Sequence, residues 1–504
     1  MRTLEILLLA AATSYLAWLS FGTGTPGSVF EYLPFTAVAL MVFHLFLERF
    51  RWHMLPAYAL VVGTLISFPW CRAQEFKLRL TVVAVMWMAA AVLIVGTGIL
   101  SGLLYPVFSF APLTGKHQVG TAAQHFIDKG RVDPYAPGGQ SLRELMVQFW
   151  YPTGSSTPKT QRSRYRNGRK ENWRSANLAL VKTRSHPNAP LLSRSEKLPL
   201  VFFSGPNDRF QNTFQTEELA SHGYIVAAVE HPYGSDVVCF PDGRSILRRK
   251  ENVFLDFSSE AALADSNREV TNELGIRAAD IQFVLNCLES FDRLRDSRHL
   301  SGMQIDESVV QIAQSFDRSK VGMFGHSFGG AVAAELCSRD RRFRAGINMD
   351  GWMFGESRSE GVTTPFFFMV DATPRPDTAD LQASDPQKRR MAERTLQGYQ
   401  DVERSLDDHG GYFLQAPGLE HMNYSDYPLH SRAKAWTGAG AIDLRRAHLM
   451  INRLSLAFFN THLQNAPQEI LSSIAADFPE AEFRVVKPAI SRAPLAMRSS
   501  GVPA

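Results

Sequence analysis

The chain has 504 residues, which is enough for two or three domains, and its formal net charge at pH 7 is +4. A charge this small does not indicate a nucleic-acid-binding protein. The four cysteines (Cys71, Cys239, Cys287 and Cys337) have no paired spacing, so they predict neither a disulfide framework nor a cysteine-ligated zinc site.

The first hundred residues contain four apolar stretches without a charged side chain, at 6–21, 32–47, 54–71 and 80–105. Crossing a bilayer needs about 20 apolar residues. A cleaved signal peptide followed by buried core helices is the alternative, but Glu5 fits poorly into the basic start of a signal peptide. We therefore predict about four transmembrane helices over residues 1–107, a membrane partner and a multi-pass membrane location. The loop charges leave open which side of the membrane the rest of the chain faces.

From residue 108 onward, short β-rich apolar runs alternate with helical patterns. The predicted strands are 145–151, 198–204, 224–230, 320–324, 345–349, 365–370 and 412–415, and the predicted helices are 216–222, 272–290, 330–339 and 387–405. Such alternation predicts an α/β domain over 108–484, with a mostly parallel sheet that helices cover on both faces. Residues 156–197 are predicted to be a basic surface insertion in this domain, and residues 485–504 a disordered tail.

The most informative motif is Gly-His-Ser-Phe-Gly-Gly at 325–330, which follows a predicted buried strand and precedes a helix of small residues. This is the setting of a nucleophile elbow, where Ser327 takes a strained backbone conformation and Gly325 and Gly329 leave room for it. The backbone N–H of Phe328 would then face the oxyanion of an acyl-transfer reaction. The motif predicts a serine hydrolase with the α/β-hydrolase fold.

A serine nucleophile needs a histidine base and a carboxylate that orients it, in the chain order Ser, acid, His in this fold. His421 lies in a loop after the last predicted strand, where the base belongs, whereas His448 and His462 lie in helical surroundings and His430 requires the loop to fold back. Asp350 and Asp371 each end a predicted strand after the elbow, and position alone does not choose between them.

Three segments resemble the type II platelet-activating-factor acetylhydrolases: GHSFGG at 325–330, RRFRAG at 341–346 and MDGWMF at 349–354. The likeness covers most of residues 110–470, and the front end is similar to a bacterial membrane-anchored branch. It implies that Asp350 is the acid, with Asp371 as the alternative, and that His421 is the base. It also implies calcium-independent removal of a short or oxidised sn-2 acyl group from phospholipid, without a cofactor or metal.

One segment departs from the family pattern. The loop after strand 198–204 reads Gly205-Pro206-Asn207-Asp208, and because proline has no N–H, the second oxyanion donor would be the N–H of Asn207. This change leaves two alternatives open: a general short-chain carboxylesterase or polyester hydrolase with the same triad, and a non-catalytic membrane scaffold.

Overall fold

The computed structural model describes residues 3–21, 29–48, 50–51, 54–72, 80–154, 162–168, 175, 177–192, 196–249, 254–290 and 305–488. The chain divides into two compact units. The first comprises residues 1–110, 162–183 and 426–439, and the second comprises residues 111–161, 184–425 and 440–504. Much of the predicted basic insertion and the predicted tail from residue 489 onward lie outside the described residues. The predicted domain boundaries at 107 and 484 remain a prediction.

The first unit is built mainly from four helices that pack on one another. They are α1 (Thr3–Phe21), α2 (Leu33–Glu48), α3 (Leu55–Arg72) and α4 (Leu80–Leu104). Their shared core contains Leu8, Ala12 and Leu16 from α1, with Ala37 and Val61 from the next two helices. The small side chains of Ala12 and Ala37 allow the helices to approach closely, and the larger apolar side chains fill the space between them.

The prediction of a multi-pass membrane protein with about four transmembrane helices is wrong. Within the described ranges, no helix combines the length and the apolar character that a bilayer crossing requires. Helix α2 illustrates the reason, since its 16 residues fall short of the roughly 20 that span a bilayer. The similarity of this front end to a membrane-anchored branch therefore finds no support here.

The second unit contains a ten-stranded sheet in the order β12-β11-β10-β9-β8-β4-β5-β2-β1-β3. Its strands, in chain order, are β1 (Gln118–Val132), β2 (Leu142–Thr153), β3 (His186–Pro187), β4 (Leu198–Ser204), β5 (Ile225–Glu230), β8 (Phe316–His326), β9 (Phe343–Met349), β10 (Phe366–Val370), β11 (Gly411–Gln415) and β12 (Glu482–Val486). The short pair β6 (Val237–Cys239) and β7 (Ser245–Leu247) forms a separate ribbon. The six strands from β5 to β11 in the sheet order run parallel, which confirms the predicted mostly parallel α/β sheet.

Helices cover this sheet, and they are α5 (Thr213–Ser221), α6 (Glu260–Glu289), α7 (Glu307–Ser315), α8 (Phe328–Arg339), α9 (Gly355–Glu360), α10 (Thr378–Leu381), α11 (Pro386–His409), α13 (Leu444–Gln464) and α14 (Glu469–Ala475). A further short helix, α12 (Lys434–Thr437), belongs to the first unit. Alternate residues of β4 face opposite layers. Phe202 lies in the core shared with α6 and α8, whereas Phe203 contacts Phe324, which contacts Phe459 of α13. The central strands are therefore buried on both faces, as their continuous apolar sequences indicate.

Parallel strands bring their carboxyl ends to one edge of the sheet, where ligands bind in open α/β folds. Ser327, Asp350 and Asp371 each follow directly on the last residue of β8, β9 and β10. Backbone hydrogen bonds connect these positions, since the N–H of Ser327 donates to Met349 O and the N–H of Asp350 donates to Met369 O. The order of the strands thus places the predicted site residues side by side.

Candidate active site

The turn around Ser327 has the geometry of a nucleophile elbow. Ser327 has φ 56° and ψ −127°, a region that side-chain-bearing residues rarely occupy. A Cβ atom on Gly325 would lie 2.0 Å from Gly329 O, and one on Gly329 would lie 1.9 Å from Ser204 O. Any larger side chain at either position would collide with the backbone, so both glycines are required to leave room for the turn, as the sequence motif predicts.

Helix α8 begins immediately after Ser327, at Phe328. The first N–H groups of a helix have no partner within the helix and carry its positive dipole end. Ser327 and Phe328 both line one cavity. This cavity therefore lies where the N-terminus of α8 can stabilise negative charge on a bound group.

A second pair of side chains reaches the same cavity from two other strand ends. His421 lies in the loop after β11, and its Nδ1 makes a short hydrogen bond with a carboxylate oxygen of Asp350. Burial by itself lowers the pKa of His421, but the hydrogen bond and the negative charge of Asp350 outweigh burial and raise it. The pair therefore has the arrangement of a base whose ring and tautomer are fixed by an acid, as in a Ser-His-Asp triad.

Asp371, the alternative acid, contacts the same pair in a different way. Its backbone N–H donates to Asp350 Oδ1 at 3.0 Å, while its own carboxylate accepts from the N–H and hydroxyl of Thr373 at 3.0 and 2.9 Å. Burial and then the charge of Asp350 raise the pKa of the Asp371 carboxyl. In these contacts, the carboxylate that meets His421 is that of Asp350, and Asp371 supports it through its backbone.

The contacts of the two aspartates predict that replacing each of them with asparagine has a different effect on kcat. Asp350→Asn should lower kcat about 10⁴-fold, the cost seen when a triad histidine loses its orienting carboxylate. Asp371→Asn keeps the backbone donor and should reduce kcat by no more than about tenfold. Steady-state kinetics on both variants measure this difference, and a larger loss in Asp371→Asn would make Asp371 the acid.

The raised pKa of His421 predicts the pH profile. Because only the neutral imidazole can accept the serine proton, kcat/KM should rise with pH through the raised pKa of His421. In Asp350→Asn the charge that raises this pKa is absent, so the rise should move to lower pH. In Asp371→Asn it should move in the same direction but less, since Asp371 acts on His421 only through its charge. A profile that is the same in all three proteins would contradict this assignment.

His326, inside the elbow motif itself, has a positioning contact that the sequence analysis missed. Its Nε2 lies 2.9 Å from His421 O and its Nδ1 lies 2.5 Å from Gln211 Nε2. Burial, and then the charge of His421, hold the pKa of His326 well below its ordinary value. A neutral His326 therefore donates to the His421 carbonyl and accepts from Gln211. The sequence signal for this role is a histidine directly after the apolar second half of β8, residues 321–325.

The cavity has a volume of about 460 Å³ and a mostly apolar lining. Ser327, Asp350, Asp371 and His421 lie in its wall, together with the aromatic side chains of Phe254, Phe257, Phe328, Trp352, Phe354 and Tyr399. Pockets of this size and character bind small organic ligands. The arrangement can therefore hold an apolar group next to a serine hydroxyl and a carboxylate-paired imidazole.

Asn207, the predicted second oxyanion donor, is not among the residues that line this cavity. Its N–H donates to Gln211 Oε1 at 3.3 Å, and its side-chain oxygen accepts from Arg248 at 2.9 Å. To act on an oxyanion, the Asn207 N–H would have to exchange Gln211 for the substrate. The structure therefore places Ser327, Phe328, Asp350 and His421 in the wall of one cavity, whereas the role of Asn207 as a second oxyanion donor stays a prediction.

A second Ser-His-Asp group lies in the interior, outside the cavity. Ser204 Oγ is 3.1 Å from His231 Nε2, and His231 Nδ1 is 2.9 Å from Asp280 Oδ2. All three residues have 0 % of their surface exposed, so no substrate reaches this serine as it stands. Burial lowers the pKa of His231 despite the carboxylate beside it. This group has the hydrogen bonds of a catalytic triad, but its serine is not accessible to a substrate.

The family model for platelet-activating factor acetylhydrolase, isoform II, matches residues 113–470. The chain belongs to this family. The platelet-activating factor acetylhydrolases of dog and guinea pig are 29 % and 30 % identical to it over 291 and 290 residues. Each alignment covers 56 % of this chain and 61 % of the relative, so the matched part is about three fifths of these relatives' length.

Two further esterases are similar to the chain, one in sequence and one in its solved structure. A probable 1-alkyl-2-acetylglycerophosphocholine esterase of Arthroderma benhamiae is 28 % identical over 167 residues, which is 33 % of this chain and 34 % of that protein. Among solved structures, a ferulic acid esterase from Streptomyces cinnamoneus superposes with a TM-score of 0.55 at 27 % identity, covering 75 % of this chain and 99 % of that one. The resemblance to type II acetylhydrolases predicted from the elbow and the MDGWMF segment is thus confirmed at the level of the family.

Proposed function

We propose that the chain is a serine ester hydrolase that removes a short or oxidised sn-2 acyl group from phospholipids through an acyl-enzyme. The observation that carries this proposal is the presence, in the wall of one apolar cavity, of Ser327 in a strained elbow and of His421 paired with Asp350. The names of the relatives, which are acetylhydrolases of platelet-activating factor and an alkyl-acetyl-glycerophosphocholine esterase, support this substrate class.

The reaction has two steps. Ser327 Oγ attacks the ester carbonyl while His421 Nε2 takes the hydroxyl proton, and the resulting imidazolium is stabilised by Asp350. The N–H of Phe328 stabilises the oxyanion, and collapse of the tetrahedral intermediate releases the lysophospholipid alcohol with the proton from His421. A water molecule deprotonated by His421 then attacks the acyl-enzyme, which releases the acid and restores Ser327.

A second candidate is a general carboxylesterase acting on soluble esters, including aryl or polyester substrates. Two observations favour it: the similarity in fold to a ferulic acid esterase over nearly all of that protein, and the six aromatic side chains in the cavity lining. Aromatic walls suit a planar aromatic group as well as an aliphatic one, so the cavity alone does not choose between the two substrate classes.

A substrate comparison tests the proposal. With EGTA present, purified protein is given phosphatidylcholine carrying sn-2 acetyl, the same lipid with a long sn-2 chain, 4-nitrophenyl acetate and methyl ferulate. The proposal predicts that kcat/KM is highest for the sn-2 acetyl lipid. Preference for the aryl or feruloyl ester would favour the second candidate, and turnover of none of the four would favour a non-catalytic role.

A further inference from the structure

A buried cluster in the first unit combines one imidazole with two carboxylates. Glu5 lies on α1, and His44 and Glu48 lie on α2. The exposed fractions of these three residues are 2 %, 0 % and 9 %. His44 and Glu48 are four residues apart, the spacing that places two side chains on one face of a helix, and this face of α2 meets Glu5 on α1.

The three side chains have the separations of ligands around one small cation. His44 Nε2 lies 3.7 Å from Glu5 Oε1 and 3.4 Å from Glu48 Oε2, and one ligand atom from each residue lies within 4.8 Å of the others. Ligand atoms at about 2.0–2.1 Å from a tetrahedral ion are separated from one another by roughly 3.4 Å. An ion placed between the three residues would thus need only small side-chain movements.

The orientation of the imidazole is an independent observation. Within the described part of the chain, His44 Nε2 has no hydrogen-bond partner although the residue is fully buried. The other ring nitrogen, Nδ1, is held by the hydroxyl of Tyr58 at 3.0 Å. Histidine ligands usually have the second ring nitrogen fixed in this way by an oxygen atom, while the free nitrogen points at the metal.

The charges of the cluster also favour a cation. Two carboxylates this close together in a buried setting repel each other. Arg51 contacts Glu5 Oε1, and its guanidinium reduces this repulsion from one side of Glu5. A cation between Glu5 and Glu48 would reduce it from within the cluster, and it would bind His44 Nε2 at the same time.

We propose that Glu5, His44 and Glu48 bind a divalent transition-metal ion, with zinc as its representative. One nitrogen and two carboxylate oxygens suit this class, since imidazole prefers such ions to Mg²⁺ or Ca²⁺. Three protein ligands leave a fourth position for water or another oxygen donor. The ion would join α1 to α2 and stabilise the first unit, because binding to the folded state alone adds to stability.

The test measures metal content and metal-dependent stability in the full chain, purified without chelators. Elemental analysis should give about one transition-metal ion per chain, falling at least tenfold in His44→Gln. The matched control is His125→Gln, which removes the histidine of another pair, His125 Nε2 to Glu144 at 2.7 Å in the second unit, and should keep the metal. Protein stripped with EDTA should regain thermal stability on addition of Zn²⁺ and should give a tetrahedral visible spectrum with Co²⁺.

If His44→Gln fails to fold, the site can still be tested by removing the metal from the unaltered chain with EDTA and adding it back. Saturable binding of Zn²⁺ or Co²⁺ by the stripped chain, weakened in Glu48→Gln, would support the site. The proposal is overturned if the stripped chain shows no saturable binding of Zn²⁺, Co²⁺ or Mn²⁺ and no change in its melting temperature. It is equally overturned if His44→Gln binds as much metal as His125→Gln. In either case the cluster would be a buried network of ion pairs and hydrogen bonds around His44 that holds no metal ion.

Discussion

Replacing Ser327 with alanine should lower kcat for ester hydrolysis by about 10⁴-fold or more, with little change in the melting temperature. Removing the nucleophile of a serine hydrolase eliminates the acyl-enzyme route, and the remaining activity comes from binding and oxyanion stabilisation alone. Alanine keeps the Cβ atom, so the backbone strain at φ 56° is the same in the variant, and the melting temperature should change little. Burst kinetics with 4-nitrophenyl acetate measure acylation directly, and the burst should disappear.

Ser338→Ala is the matched control, because it removes a hydroxyl from the same helix, α8. The Ser338 hydroxyl donates to Gly361 O at 3.0 Å and does not line the cavity, so kcat should stay within a few-fold of the unaltered protein. A full acylation burst in Ser327→Ala would show that another group is the nucleophile.

Replacing Asp280 with alanine should have the largest effect on stability, about 3–5 kcal/mol, the usual cost of breaking a buried ion pair from one side. Asp280 is fully buried and accepts from Arg143 at 3.1 and 2.6 Å, from His231 at 2.9 Å and from Arg131 at 2.9 Å. Without this carboxylate, Arg143, with 1 % of its surface exposed, keeps one carboxylate partner within the described part of the chain, Asp133. Urea unfolding followed by circular dichroism measures the change.

The control for Asp280 is Asp265→Asn, which removes the carboxylate from an exposed ion pair with Arg268. Exposed pairs contribute little, so the unfolding midpoint should stay where it is in the unaltered protein. Equal midpoints for Asp280→Ala and Asp265→Asn would show that the buried network around Arg143 does not stabilise the fold.

The same network predicts how stability depends on pH. Burial alone would raise the pKa of Asp280, but Arg143 and His231 hold it below its ordinary range. A carboxyl with a lowered folded-state pKa stabilises the fold above its unfolded-state pKa, near 3.9, and this contribution is lost as the pH falls through the folded-state value. The difference in stability between the unaltered protein and Asp280→Ala should therefore shrink on acidification below about pH 4.

Local signals in the sequence were enough to predict the elbow and the parallel sheet. Gly325 and Gly329 are needed by contacts within a few residues or with the adjacent strand. Strand β4 and the second half of β8 are apolar runs that indicate burial on both faces. Strand β1 (Gln118–Val132) was missed because its sequence is mixed in polarity, and its pairing with β2 fixes it as a strand.

Features that depend on distant residues could not be read from the sequence. His231 and Asp280 are 49 residues apart, and no local pattern connects them with Ser204. The choice between Asp350 and Asp371 likewise depends on which carboxylate faces His421, a matter of side-chain direction. The membrane prediction was wrong because no helix in the described ranges combines the length and the apolar character that a bilayer crossing requires.

The most direct test of the proposed mechanism is to label the protein with a fluorophosphonate and locate the modified residue by mass spectrometry. Such probes phosphonylate a serine that is activated by a histidine base and accessible from solvent. The account predicts labelling at Ser327 that disappears in Ser327→Ala and is slowed by sn-2 acetyl phosphatidylcholine. Labelling at another serine, such as the buried Ser204, or none in a protein that hydrolyses esters, would contradict it.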